Sequence, residues 1–351
     1  MNENQIGYLA MAFSLSMLFS NAIFGRMSDI FGRMPFLYAG LIFSSFSTVF
    51  LLYGHSFGFY LLGRVLNGFC LGIFPSSIYG LASDRDVKFG KLSAFGSIGW
   101  ASGGLIGGYL ADYYNLEFIF LLSGIFYFVG FFISFTVEKG KLSQDVTDSS
   151  NVVHDRSTKS VLKQNWLIYT IVILRHGTAN SIWIFWVLFL SQDLSLSTTE
   201  IGVVQATNMF TQFIVMRTMG DRFPPEKMFF SGIIISSIAF YSFVLTSNFL
   251  EIVLTQVILG ISWGFFLVGG LRTVETKSRK TNSVATATGL FNGSIAIAQI
   301  LGPPLAIVFY NYSNSYTFSM IVAAIITAMS AIFYAFSETE FKLKHEEPTI
   351  S

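Results

Sequence analysis

Eleven apolar stretches, each long enough to cross a bilayer as a helix, run through this chain. They lie near residues 6–24, 35–53, 58–82, 93–113, 117–137, 166–190, 199–219, 228–248, 250–271, 284–310 and 315–337. About twenty helical residues cover the roughly 30 Å of hydrocarbon in a bilayer. Backbone groups in lipid must bond internally, so runs of this length read as helices. The expected fold class is therefore an all-α membrane protein with eleven transmembrane helices. With 52% hydrophobic and 12% charged residues, the chain has too little polar surface to coat a soluble domain of 351 residues. The first stretch has no basic flank and no small-residue cleavage site, and so reads as a span rather than a signal peptide.

The distribution of Lys and Arg supports this division. Arg26 and Arg33 follow the first span, Arg85, Lys88 and Lys91 the third, and Lys139, Lys141, Arg156, Lys159 and Lys163 the fifth. Arg217, Arg222 and Lys227 follow the seventh, Arg272, Lys277, Arg279 and Lys280 the ninth, and Lys342 and Lys344 the last. The intervening loops hold none. Basic residues are retained on the cytoplasmic side of short loops, which predicts a multi-pass plasma-membrane protein with a cytoplasmic C-terminus and Met1 outside. Residues 1–137 form an N-terminal bundle of five helices and 166–337 a C-terminal bundle of six. They are joined by a polar cytoplasmic linker, 138–165, and followed by a tail, 338–351, both expected to lack fixed structure. The net charge of +1 offers nucleic acid no attraction. Cys70 is the sole cysteine, so no intrachain disulfide forms, and no metal or cofactor is expected.

The two halves repeat. Arg64-x-x-x-Gly68-x-x-x-Gly72 in the third span answers to Gln256-x-x-x-Gly260-x-x-x-Gly264 in the ninth, 192 positions later, and Asp29 answers to Asp221 at the same offset. The segment GRMSDIFGRM at 25–34 is similar to the signature loop of the major facilitator superfamily, G-x-x-x-D-x-x-G-[RK]-[RK], through Gly25, Asp29, Gly32 and Arg33. Met34 departs from it. The second copy, RTMGDRFPPE at 217–226, keeps Asp221 and Arg222. Arg64, Gly68 and Gly72 resemble the family's fourth helix. Gly99, Gly103, Gly107 and Gly108 resemble its antiporter pattern, with Gly104 where proline is usual. The resemblance implies two pseudo-symmetric six-helix bundles around a central cavity, of which family helices 2 to 12 are present. The family's first helix has no counterpart, so one more helix is expected to be encoded upstream. The resemblance also implies a gating role for the signature loop. There Asp29 faces the positive N-terminus of a helix from the other half, here the tenth span near residues 281–283.

An arginine deep in a span costs at least about 2.5 kcal/mol and so needs a partner or a watery cavity. Arg64 and Arg175 are the two such residues, and each reads either as a solute-binding group or as an interhelical structural one. His176 and Asn180 share the sixth span with Arg175, and Asn67 shares a face with Arg64. Gln205, Asn208 and Gln212 make a stripe on the seventh span, and Gln256 and Asn292 lie in the ninth and tenth. The second, fifth, eighth and eleventh spans lack such groups. That segregation favours cavity lining over interhelical bonding for the stripe. The glycines at 68, 72, 99, 103, 107 and 108 read as close-packing surfaces.

The leading expectation is a secondary active transporter of a small-molecule substrate working by alternating access, a monomer in membrane lipid. Proton-coupled efflux of amphiphilic compounds by an antiporter competes with transport of an anionic metabolite, an organic acid or a phosphorylated compound. The glycine pattern favours the first, and two arginines without a deep carboxylate favour the second. An enzyme is not expected, because no titratable pair lies within the spans. A non-transporting membrane sensor is the remaining reading from another class.

Overall fold

The computed structural model describes residues 2–75, 77–78, 81, 85, 89–114, 116–137, 158–220, 222–279 and 284–345. Among them stand eleven helices of seventeen residues or more and no strand. These are α1 (Glu3–Phe31), α2 (Arg33–Phe50), α3 (Phe57–Ile73), α4 (Phe89–Tyr113), α5 (Leu116–Ser134) and α6 (Thr158–Leu188). They continue with α7 (Thr198–Met219), α8 (Pro225–Val244), α9 (Phe249–Arg279), α10 (Val284–Ser313) and α11 (Thr317–His345). Seven of them, α2 with its following turn, α5, α6 and α8 to α11, are long and apolar enough to span a membrane on composition alone, and α3 is a shorter apolar helix. In α1, α4 and α7 the apolar run is diluted by serines, glycines and amides.

Several helices outrun the apolar stretch that announced them. Helix α1 continues to Phe31, α6 begins at Thr158, α9 ends at Arg279 and α11 continues to His345. The end of the expected linker and the start of the expected tail are thus helical. A helix needs no lipid beyond the hydrocarbon edge, since its backbone bonds are internal. Helix α1 begins on a capping box, in which Asn2 accepts from the Gln5 amide and the Gln5 side chain accepts from Asn2. It ends at Gly32, whose φ of 93° lies in the left-handed region. The second glycine of the signature loop is therefore required by the turn from α1 into α2.

The chain divides into two compact units. The first comprises Met1–Val153 with Leu190–Ala206, and the second His154–Phe189 with Thr207–Ser351. In the first unit α3 packs on α1 through Gly68 and Gly72. A Cβ on Gly72 would stand 2.6 Å from the Met17 carbonyl oxygen, and one on Gly68 would strike that of Phe13. The Ser16 hydroxyl donates to the Val65 carbonyl across the same crossing, at 2.6 Å. In the second unit the repeated glycines do the same work on α9. A Cβ on Gly260 would lie 2.8 Å from the Asn208 carbonyl, and one on Gly264 2.7 Å from Val215, both on α7. The repeat read in the sequence is thus one helix crossing built twice.

Lipid tails are as apolar as leucine, so packing and hydrogen bonds rather than water exclusion hold such crossings together. The larger core lies in the second unit, where Phe229, Phe266 and Phe291 are fully buried among Ile168, Val172 and Val274. In the first unit Met34, Leu37, Leu41 and Leu81 form a smaller cluster.

Candidate functional site

The two arginines that lie deep in spans sit in different surroundings. Arg64 on α3 is half-buried, with its guanidinium 5.9 Å from the centre of the Phe13 ring on α1. Neither a hydrogen bond nor an acidic partner engages it among the described residues. Its donors are thus unbonded among the described residues.

Arg175 is 2% exposed. Its Nε and Nη2 donate to the Ser236 hydroxyl of α8 at 3.0 and 2.8 Å. The guanidinium carbon lies 5.1, 5.1 and 4.7 Å from the ring centres of Phe240, Trp263 and Phe266. Ser236 donates in turn to the Gly232 carbonyl at 2.7 Å and meets Ser262 at 3.1 Å. Aromatic faces attract a cation by about 0.5 to 2 kcal/mol each, so three of them with two hydrogen bonds hold this charge inside α6, α8 and α9. These contacts are those of an interhelical structural group, one of the two readings open to it.

The amides divide similarly. Asn67 is buried and donates to Ser47 and Thr48 of α2 at 3.2 and 2.9 Å, so it fastens α3 to α2 rather than joining Arg64. Asn208 donates to the Gln256 carbonyl of α9 at 3.3 Å, and Gln212 donates to Asn208. Asn208 thus clamps α7 to α9, a bond worth about 0.6 kcal/mol on average, and Gln212 braces it from within α7. The third, Gln205, is half-buried against Gly104 of α4. Asn180 donates to the His176 carbonyl at 2.7 Å and packs on Gly302 of α10. His176 is 8% exposed and stacks on Trp263 with ring centres 4.9 Å apart. Its Nδ1 and the Gln256 Nε2 are buried without a partner in the structure, while Asn292 is exposed.

In the glycine-rich α4, the packing residues are Gly104 and Gly108. They meet α7 so closely that a Cβ on Gly202 would strike the Gly104 carbonyl, and one on Gly108 the Thr198 carbonyl. Gly99 and Gly103 have nothing within 4 Å, and Gly107 only Ile119 at 4.0 Å. The packing expected of these three is absent among the described residues.

Beside this crossing lies a contact with no local sequence signal. The Asp112 carboxylate at the end of α4 accepts from the Thr198 amide at 3.1 Å, from the Thr199 amide at 2.6 Å and from the Thr198 hydroxyl. It thereby caps α7, whose own capping box of Ser197 and Glu200 is visible in the sequence. Another unforeseen brace is Arg272 on α9, which donates to the Gly220 and Phe223 carbonyls at 2.5 and 3.1 Å and holds the second signature-like loop. In the first copy Arg33 donates to Ser28 at 3.3 Å. The side chain of Asp29, the main chain at 281–283 and Asp221 lie outside the described residues, and Arg222 is exposed. No group of His, Cys, Asp and Glu able to hold a metal occurs among the described residues.

The family profile of the Major Facilitator Superfamily matches the chain twice, over residues 1–187 and 168–351, one match for each half of the repeat. The chain belongs to the Major Facilitator Superfamily. It is a multi-pass membrane transporter of a small-molecule substrate, in a family of transporters rather than enzymes. Among its relatives is the tetracycline resistance protein, class B, of Escherichia coli, 25% identical over 328 residues, which cover 88% of this chain and 80% of that protein. The quinolone resistance protein NorA of Staphylococcus aureus is 30% identical over 115 residues, 31% of this chain and 30% of that one. The crystal structure of the nucleoside transporter NupG has the same fold, with a TM-score of 0.75 and 14% identity, covering 95% of this chain and 90% of that one.

Proposed function

We propose that this superfamily member exports a small amphiphilic solute across the plasma membrane in exchange for protons, by alternating access. The observation that carries the reading is the likeness to a tetracycline resistance protein along 88% of the chain. The shorter match to a quinolone resistance protein agrees with it. The arginine geometry weighs on the same side. Holding an anionic metabolite between two arginines needs both guanidinium groups, and Arg175 is already engaged by Ser236 and three rings. The alternation of basic loops supports a cytoplasmic C-terminus.

The open donors of Arg64 keep a second reading in view, an anionic solute neutralised by that residue alone. Purified full-length protein in proteoliposomes separates the two. With tetracycline or a quinolone as probe, an imposed pH gradient is expected to drive accumulation against the solute gradient. A protonophore is expected to collapse it. Accumulation indifferent to the pH gradient, together with exchange of an organic or phosphorylated anion, would replace the first reading by the second.

A further inference from the structure

On α6 the residues Lys159, Leu162, Lys163 and Trp166 are exposed and follow one another at helical spacing on one face. Toward the helix middle this stripe becomes the wall of a groove of about 380 Å³ within the second unit, closed on the other side by α10 around Gly293. The groove is apolar, and two of its polar neighbours are already bonded. Ser294 donates to the Leu290 carbonyl at 2.8 Å, and Tyr169 to that of Ala287 at 3.0 Å. The Trp166 ring is 49% exposed and is steadied edge-on by Phe333, with centres 6.0 Å apart. Neither Lys159 nor Lys163 has an acidic partner among the described residues.

Two cations one helical turn apart, a tryptophan and an apolar groove follow in the order in which a phospholipid presents its phosphate, glycerol and acyl chain. Tryptophan favours the headgroup boundary, and basic clusters at the ends of membrane helices attract anionic lipid. We propose that this groove holds one anionic phospholipid, its phosphate between Lys159 and Lys163 and an acyl chain along Trp166 and Gly293. The site is separate from Arg64 and does not depend on which solute is carried.

Quenching of Trp166 by lipids with brominated tails tests this, with the full-length protein in phosphatidylcholine vesicles and the Trp166→Phe variant supplying the background. Brominated phosphatidylglycerol is expected to quench the Trp166 signal at about tenfold lower mole fraction than brominated phosphatidylcholine at low ionic strength. Inorganic phosphate should not displace it. Lys159→Gln with Lys163→Gln should equalise the two lipids. Gly293→Leu, at a position where an added Cβ meets nothing within 4 Å and a longer side chain fills the groove, should weaken quenching by both. Equal quenching by the two lipids in the parent protein would overturn the proposal, as would a preference that survives the lysine substitutions. Displacement by inorganic phosphate would contradict a lipid site.

Discussion

Arg64→Ala is expected to lower transport per molecule by about a hundredfold or more while leaving the amount of protein in the membrane close to that of the parent. The residue is half-buried and touches the Phe13 ring, a contact worth no more than about 1 kcal/mol at such a site. Folding therefore loses little when it is removed. Transport loses more, because a positive group kept in a span at a cost of at least about 2.5 kcal/mol with all its donors open is placed to meet a solute or a coupling carboxylate. A hundredfold loss corresponds to about 2.7 kcal/mol of binding that differs between the states of the cycle. Initial uptake rates normalised to protein by immunoblot measure it. Parental rates in the alanine variant would make Arg64 a structural residue.

Arg175 should behave in the opposite way. Arg175→Ala empties a cage of three rings and leaves Ser236 without its two donors, a change of the kind that costs about 3 kcal/mol. It should lower Tm and membrane abundance together. Arg175→Met fills most of the volume without a buried charge, and Ser236 keeps its bond to the Gly232 carbonyl. Replacing a buried ionic group by an apolar one of similar size is often neutral, so the methionine variant should stay within about 1 kcal/mol of the parent and transport at a similar rate. Normal stability with no transport in Arg175→Met would return this arginine to the solute path.

The contrast between these two arginines marks where the sequence stops being informative. Insertion cost depends on depth and charge, which Arg64 and Arg175 share. Their roles depend on which helix packs beside each, and no periodicity reports that. The same limit applies to Asn67, Asn208 and Gln212. Helical spacing gave the face each occupies, but the neighbour that uses it is α2 or α9. Asp112 was illegible for a related reason, since the helix it caps begins 86 residues later.

What could be read was set by strong local physics. Apolar runs separated by basic or polar loops fixed eleven helices in order, and paired glycines fixed one crossing and its copy. Helix ends were poorly legible because hydropathy reports the hydrocarbon, whereas α6 and α11 extend past it. Gly32 was recognised by motif, and its positive φ supplies the reason for it.

Counterflow tests the central claim, that this protein moves a solute through the membrane rather than sensing one. Proteoliposomes holding purified full-length protein are loaded with unlabelled tetracycline and diluted into a trace of labelled solute, with no ion gradient. A carrier that exposes one site alternately to each side exchanges the two, so the label is expected to rise transiently inside above its outside concentration and then decay. Specific binding of the label to the protein with no such overshoot, for tetracycline and quinolone alike, would contradict the account and leave a receptor built on a transporter fold.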